Sequence, residues 1–132
     1  MGGGWRGAGL ALLLLAEPAG AETAPAAPTW ANLAECSAVF SAVAEVDGDA
    51  RADQAELAQA DRVAQLFLDH AVASAADAGQ TDPAADVASI MGYLTERWQN
   101  RIEGLLSTPS NLDWIAYCGN LGREEGILPL QP

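Results

Sequence analysis

Cys36 and Cys118 are the residues whose type and spacing carry the most definite chemistry in this chain. Cys36 stands in WANLAECSAVF and Cys118 in DWIAYCGNLG, and there is no third cysteine. A pair of thiols can ligate a metal, attack a substrate or join as a disulfide. A zinc site needs further sulfur or nitrogen ligands, and the sole histidine, His70, cannot supply them alone. A nucleophilic thiol needs a lowered pKa, and neither a C-x-x-C pair nor a motif linking His70 to a cysteine is present. Without C-x-x-C-H there is no covalent haem of the c type. A disulfide remains, with a single intramolecular connectivity.

A second constellation is Asp47, Asp49 and Asp53 in DGDARADQAELA. The spacing invites comparison with a calcium loop of the EF-hand kind. The strict positions do not fit, however. Where the loop needs a glycine for its sharp turn there is Ala52, and where it needs a bidentate glutamate there is Ala58. Arg51 puts a cation among the oxygens. Three carboxylates here are better explained as a helix entry favoured by the dipole, with a weak cation site as the sharper alternative.

A third is Tyr93, Arg97, Trp98 and Arg101. Arg97 follows Tyr93 by four residues, and Arg101 follows Arg97 by four, which is one helical turn each time. That spacing allows a guanidinium over the tyrosine ring, and two guanidiniums beside aromatics can hold a carboxylate or phosphate ligand. The plainer reading is that the arginine stems cover the core edge while the heads pair with acidic residues. His70 reads as a boundary residue. There is neither a Ser/His/Asp pattern nor a phosphate-cradling glycine loop, and CGNLG follows a helix, so it is no dinucleotide fingerprint.

Four helices, with no convincing strand, must position these residues. The first spans about residues 30–46, with Thr29 as its expected N-cap and Leu33, Cys36, Phe40 and Val43 on one apolar face. The second spans about 53–78. Leu57, Ala60, Val63, Ala64, Phe67 and Ala71 share a face opposite Asp61, Arg62, Gln65 and Asp69, and Gly79 follows as the C-terminal stop. The third spans about 83–107, capped by Asp82 with Pro83 at its first position. Its apolar period runs from Val87 through Ile90, Met91, Leu94, Trp98 and Ile102 to Leu105. The fourth spans about 109–121, with Trp114, Ile115, Cys118 and Leu121 inward and Gly122 to close it. In the tail, residues 122–132, Ile127, Leu128 and Leu130 can dock on the helices. Trp30, Trp98 and Trp114 lie on or near inner faces, where core packing explains them, with a lined pocket as the alternative. The expected fold is all-α, a small four-helix bundle-like domain over residues 29–132. The second and third helices form a hairpin in it, and one long-range disulfide ties its ends.

Ahead of the domain the sequence reads as an export signal. Arg6 and the amino terminus supply positive charge, Leu10 to Ala16 is an unbroken apolar run, and Pro18 breaks it. Ala19-Gly20-Ala21 has the small-x-small form of a peptidase site, so residues 1–21 read as a signal peptide. Residues 22–28, ETAPAAP, read as a Pro/Ala linker. Every basic side chain is arginine and alanine is abundant, as in GC-rich bacterial genomes, so the expected location is periplasmic or secreted. An oxidising compartment favours the disulfide.

The net charge is −12, and losing Arg6 with Glu17 leaves it unchanged. Such a surface repels nucleic acid and anionic membranes, so neither is an expected partner; no cofactor is expected either. The size, acidity and single long-range clamp resemble those of acid-activated periplasmic chaperones, with no motif in common. That resemblance implies a bundle loosened as carboxylates protonate. The leading expectation is a non-enzymatic protein that binds a protein or small molecule. The alternatives are an acid-responsive chaperone, or an enzyme using carboxylates with a metal at Asp47 to Asp53.

Overall fold

The computed structural model describes residues 27–46 and 59–131. Within them the chain forms four helices and no strand: α1 (Thr29–Glu45), α2 (Ala60–Asp77), α3 (Pro83–Gln99) and α4 (Pro109–Glu124). The export signal, most of the linker and the Asp47, Asp49 and Asp53 loop lie outside the described residues.

The centre of the fold is α1, which packs on all three other helices. From Leu33 to Phe40 every residue is buried, and Ala42 and Val43 follow. A helix buried on every side has no polar face, and between Thr29 and Val43 the only charge is Glu35. The single apolar face expected for this helix therefore understates it: Ala34, Ser37, Ala38 and Val39 are enclosed as fully as Leu33, Cys36 and Phe40.

Small residues make that enclosure possible. Where α1 meets α2, Ala34, Ser37 and Ala38 on one helix are complemented by Ala60, Ala64, Ala71 and Ala75 on the other. The two backbones come close enough for the Ser37 hydroxyl to donate to the main-chain carbonyl of Ala64 at 2.8 Å. Phe40 and Phe67 fill the remaining space as stacked rings with centroids 5.7 Å apart. Each such side chain contributes about 1.5–3 kcal/mol on full burial. On α2 the expected face holds, with Val63, Phe67 and Ala71 inward and Asp61, Arg62, Gln65 and Asp69 in solvent.

The helix ends show which local signals were decisive. Pro28, not Thr29, is the N-cap of α1. Thr29 is already helical, no side chain caps the end, and the Pro28 carbonyl accepts from the amides of Ala31 and Asn32. The second helix spans Ala60–Asp77, with Gln59 at φ −119° and ψ 36° not helical, and the expected stretch 53–58 with Leu57 lies outside the described residues. Its C-terminus closes on Gly79 at φ 90°, with the amides of Gly79 and Gln80 donating to the carbonyls of Ala76 and Ala75. That is a Schellman closure, which accommodates glycine without a Cβ penalty. Asp82 caps α3 as expected, accepting from the Ala85 amide at 3.3 Å ahead of Pro83.

Two expected ends move. Helix α3 stops at Gln99 and does not reach residue 107: the amides of Arg101 and Ile102 reach only three residues back, to the carbonyls of Trp98 and Gln99, and beyond them Gly104 at φ 76° begins a separate turn whose carbonyl accepts from Ser107 and Thr108. Ile102 and Leu105 kept the apolar period because they still turn inward, Leu105 being fully buried. Helix α4 runs three residues past Leu121. Gly126 at φ 78° closes it in a second Schellman turn, with Ile127 donating to the Gly122 carbonyl at 2.8 Å. Gly122 serves packing. A methyl at its Cα would meet Leu128 Cδ1 at 2.9 Å and Phe67 Cζ at 3.0 Å. Its bare surface lets the tail fold back, so that Ile127 and Leu128 are buried and Arg62 donates to the Gln131 carbonyl at 2.8 Å.

Cys36 and Cys118 are bonded as a disulfide, with Cα atoms 5.5 Å apart across 82 residues of sequence. Both are fully buried. Loop closure on this scale stabilises a fold by about 4.5 kcal/mol in the chain-entropy account. Among the described residues no helix is long and apolar enough to cross a membrane.

Candidate functional site

The clamp decides where α4 crosses α1, and the functional groups gather beside it. Glu35 precedes Cys36 and Tyr117 precedes Cys118, so the bond that fixes the cysteines fixes these two neighbours as well. One helical turn earlier on each helix stand Asn32 and Trp114. An open groove of about 300 Å³, walled mainly by apolar surface, lies there and is lined by Asn32, Asp113, Trp114 and Tyr117.

Glu35 forms the buried side of this region. Its Oε2 accepts from Arg97 Nη1 at 2.7 Å and from Trp98 Nε1 at 2.9 Å. The carboxylate side chain is only 11% exposed and the Arg97 side chain 41%. A buried carboxylate is costly unless its oxygens are occupied by donors, and here a charged and an indole N–H both serve it. The indole of Trp98, itself fully buried, also gains the partner that a buried N–H requires.

From that anchor a chain of rings leads outward. Trp98 meets Trp114 edge to face, with centroids 5.9 Å apart and planes at 77°. Trp114 meets Tyr117 in the same manner at 5.6 Å and 86°. Burial falls along the series, and Tyr117 is 38% exposed. Its phenol is held above the ordinary tyrosine range, first by burial and then by the carboxylates of Glu124 and Glu35.

The residues singled out from sequence divide around this anchor. Arg97 stacks over Tyr93 with 5.6 Å from guanidinium carbon to ring centroid, and Arg101 over Trp98 at 4.7 Å. Tyr93 itself is 55% exposed. The structure thus brings Arg97 and Trp98 together on one carboxylate and puts Arg101 on the outer face of the same indole. His70 is half-buried at the edge of α2. Among the described residues no three of His, Cys, Asp and Glu converge on a point that could hold a metal ion.

Sequence reasoning missed Asn32, Glu35, Asp113 and Tyr117. For Glu35 a signal existed: it is the one charge between Thr29 and Val43 in an alanine-rich helix, which implies a buried pair. For Asp113 and Tyr117 there was none, because both sit on the flank of α4 and only the crossing angle with α1 turns that flank into a groove. No family model, no curated protein and no solved structure matches the chain.

Proposed function

We propose that this protein works outside the cytoplasm, periplasmic or secreted, as a non-enzymatic binding protein, and that its ligand occupies the groove between α1 and α4. The observation that carries the reading is the pair Trp114 and Tyr117. Two large rings stand half in solvent, at right angles, on a wall fixed from behind by the Glu35 network and from beside by a disulfide. Aromatic side chains held rigid before binding lose little entropy on contact, which favours recognition. The buried disulfide supports an oxidising compartment, and the N-terminal pattern supports export.

The test has two parts. Expression in a host with a secretion pathway should yield a mature chain beginning near Glu22, read by intact-mass spectrometry. The oxidised protein should then capture its ligand from extracytoplasmic extract, and Tyr117→Leu should lose that capture while keeping the wild-type melting temperature. Equal capture by both proteins would remove the groove from the reading.

A further inference from the structure

The groove has a chemical preference that can be read from its walls, and the inference rests on the reading of the groove as the binding site. The rings of Trp114 and Tyr117 stand at 86° with centroids 5.6 Å apart, so their planes form an inside corner. The other two lining residues are Asp113, an exposed carboxylate, and Asn32, an amide. We propose that this corner binds a small organic cation of the alkylated-ammonium type, its charge against the ring faces of Trp114 and Tyr117 and balanced by the carboxylate of Asp113.

Three observations converge on a cation. The π faces of tryptophan and tyrosine are electron-rich and attract positive charge within about 6 Å of the ring centre. The two neighbouring aromatics show this already, since Arg97 lies over Tyr93 and Arg101 over Trp98. Among the described residues no guanidinium lies over Trp114 or Tyr117, the two rings that line the groove. The charge around the corner is also negative. Asp113 lines the groove itself and the Glu124 carboxylate acts on the Tyr117 phenol, while the charge of Glu35 is balanced by Arg97. The nearby cations are engaged, Arg97 by Glu35 and Arg101 by Trp98. Arg123, on the same helix, projects roughly 120° around from Tyr117 at 3.6 residues per turn.

The same walls argue for an organic cation with few N–H groups. A calcium-type ion requires six or more oxygen ligands, and a mainly apolar groove with one carboxylate and one amide does not supply them. A primary ammonium brings three donors, each of which needs an acceptor. A quaternary ammonium, alkylated at all four positions, needs none, and its methyl groups gain from contact with the rings. A volume of about 300 Å³ suits a small molecule.

Choline chloride and tetramethylammonium chloride should be titrated into the full oxidised chain at constant ionic strength, with sodium chloride as the control. The uncharged isostere 3,3-dimethylbutan-1-ol should be titrated in parallel. Ligand-observed proton NMR should show the methyl resonance broadened and moved upfield, as ring faces require. The cations should bind about tenfold more tightly than the isostere, the scale of a partly desolvated cation–π contact. Asp113→Asn should weaken them several-fold, and Tyr117→Leu should weaken them and reduce the upfield shift to what the Trp114 ring alone gives. Equal binding of the isostere would overturn the cation preference while leaving the groove a ligand site. Cation binding unchanged in both variants would overturn it by placing the contact elsewhere. No binding by any probe would also overturn it, and the capture experiment with Tyr117→Leu would then decide independently whether the groove binds at all.

Discussion

Glu35 and Trp98 are 63 residues apart in sequence, yet the indole N–H of one donates to the buried carboxylate of the other at 2.9 Å. Arg97 shares the same oxygen at 2.7 Å, so a single carboxylate ties the central helix to α3 and sets the plane of the first ring in the aromatic series. Glu35→Ala removes the acceptor and strands both donors. The expected loss is about 2–4 kcal/mol, read by urea unfolding. Arg97→Ala should cost less, about 1 kcal/mol, because its side chain is 41% exposed and solvent screens the pair. A loss of well under about 1 kcal/mol from Glu35→Ala would show that the carboxylate is not the anchor.

The disulfide should survive in the folded state under mild reductant, because both sulfurs are fully buried. Thiol labelling after dithiothreitol should therefore track unfolding by urea and not reductant concentration. Cys36→Ala with Cys118→Ala should lower stability by a few kcal/mol at most and leave the helical circular dichroism intact, since the apolar faces remain. Two free thiols in the unreduced protein would contradict the clamp directly.

Gly122 and Gly92 offer a paired test of packing against propensity. Both lie inside helices, where alanine is favoured over glycine by about 1 kcal/mol. At Gly92 a new methyl meets nothing within 4 Å, so Gly92→Ala should stabilise by about 0.5–1 kcal/mol. At Gly122 it meets Phe67, whose ring is stacked on Phe40, and Leu128, so Gly122→Ala should destabilise by about 1–3 kcal/mol despite the better propensity. Thermal melts of the two variants should move in opposite directions.

Tyr117 predicts an alkaline signature. Its phenol is raised in the folded state, chiefly by burial, so the folded protein holds that proton more tightly than the unfolded chain does. The associated stability is fully present below the ordinary tyrosine pKa of about 10 and is lost as pH rises from there through the folded value. In a Tyr93→Phe background the tyrosinate absorbance near 295 nm should rise later than in the urea-unfolded protein. Coincident titration curves would mean that the ring is not seated as described.

Much of this was legible in the sequence because it depends on local chemistry. The apolar periods of α2, α3 and α4, the Asp82-Pro83 start and the Gly79 stop all act within a few residues, and each appears where its side chains dictate. The disulfide was legible for another reason: two cysteines have one possible partner each, and both sat at the centre of an apolar face. The end of α3 was misread because Ile102 and Leu105 keep a helical period in a segment of tight turns that follows the helix end at Gln99. The chain could not show that α1 would be enclosed on every side, or that Gly122 would serve the tail and not the helix end, because both depend on what arrives from distant sequence. The groove belongs to that second class. Asn32 and Glu35 on α1, with Asp113, Trp114 and Tyr117 on α4, are unremarkable in their own segments. They meet because a covalent bond fixes one helix crossing and a buried carboxylate fixes the ring behind it, and only packing in three dimensions brings such groups onto one wall.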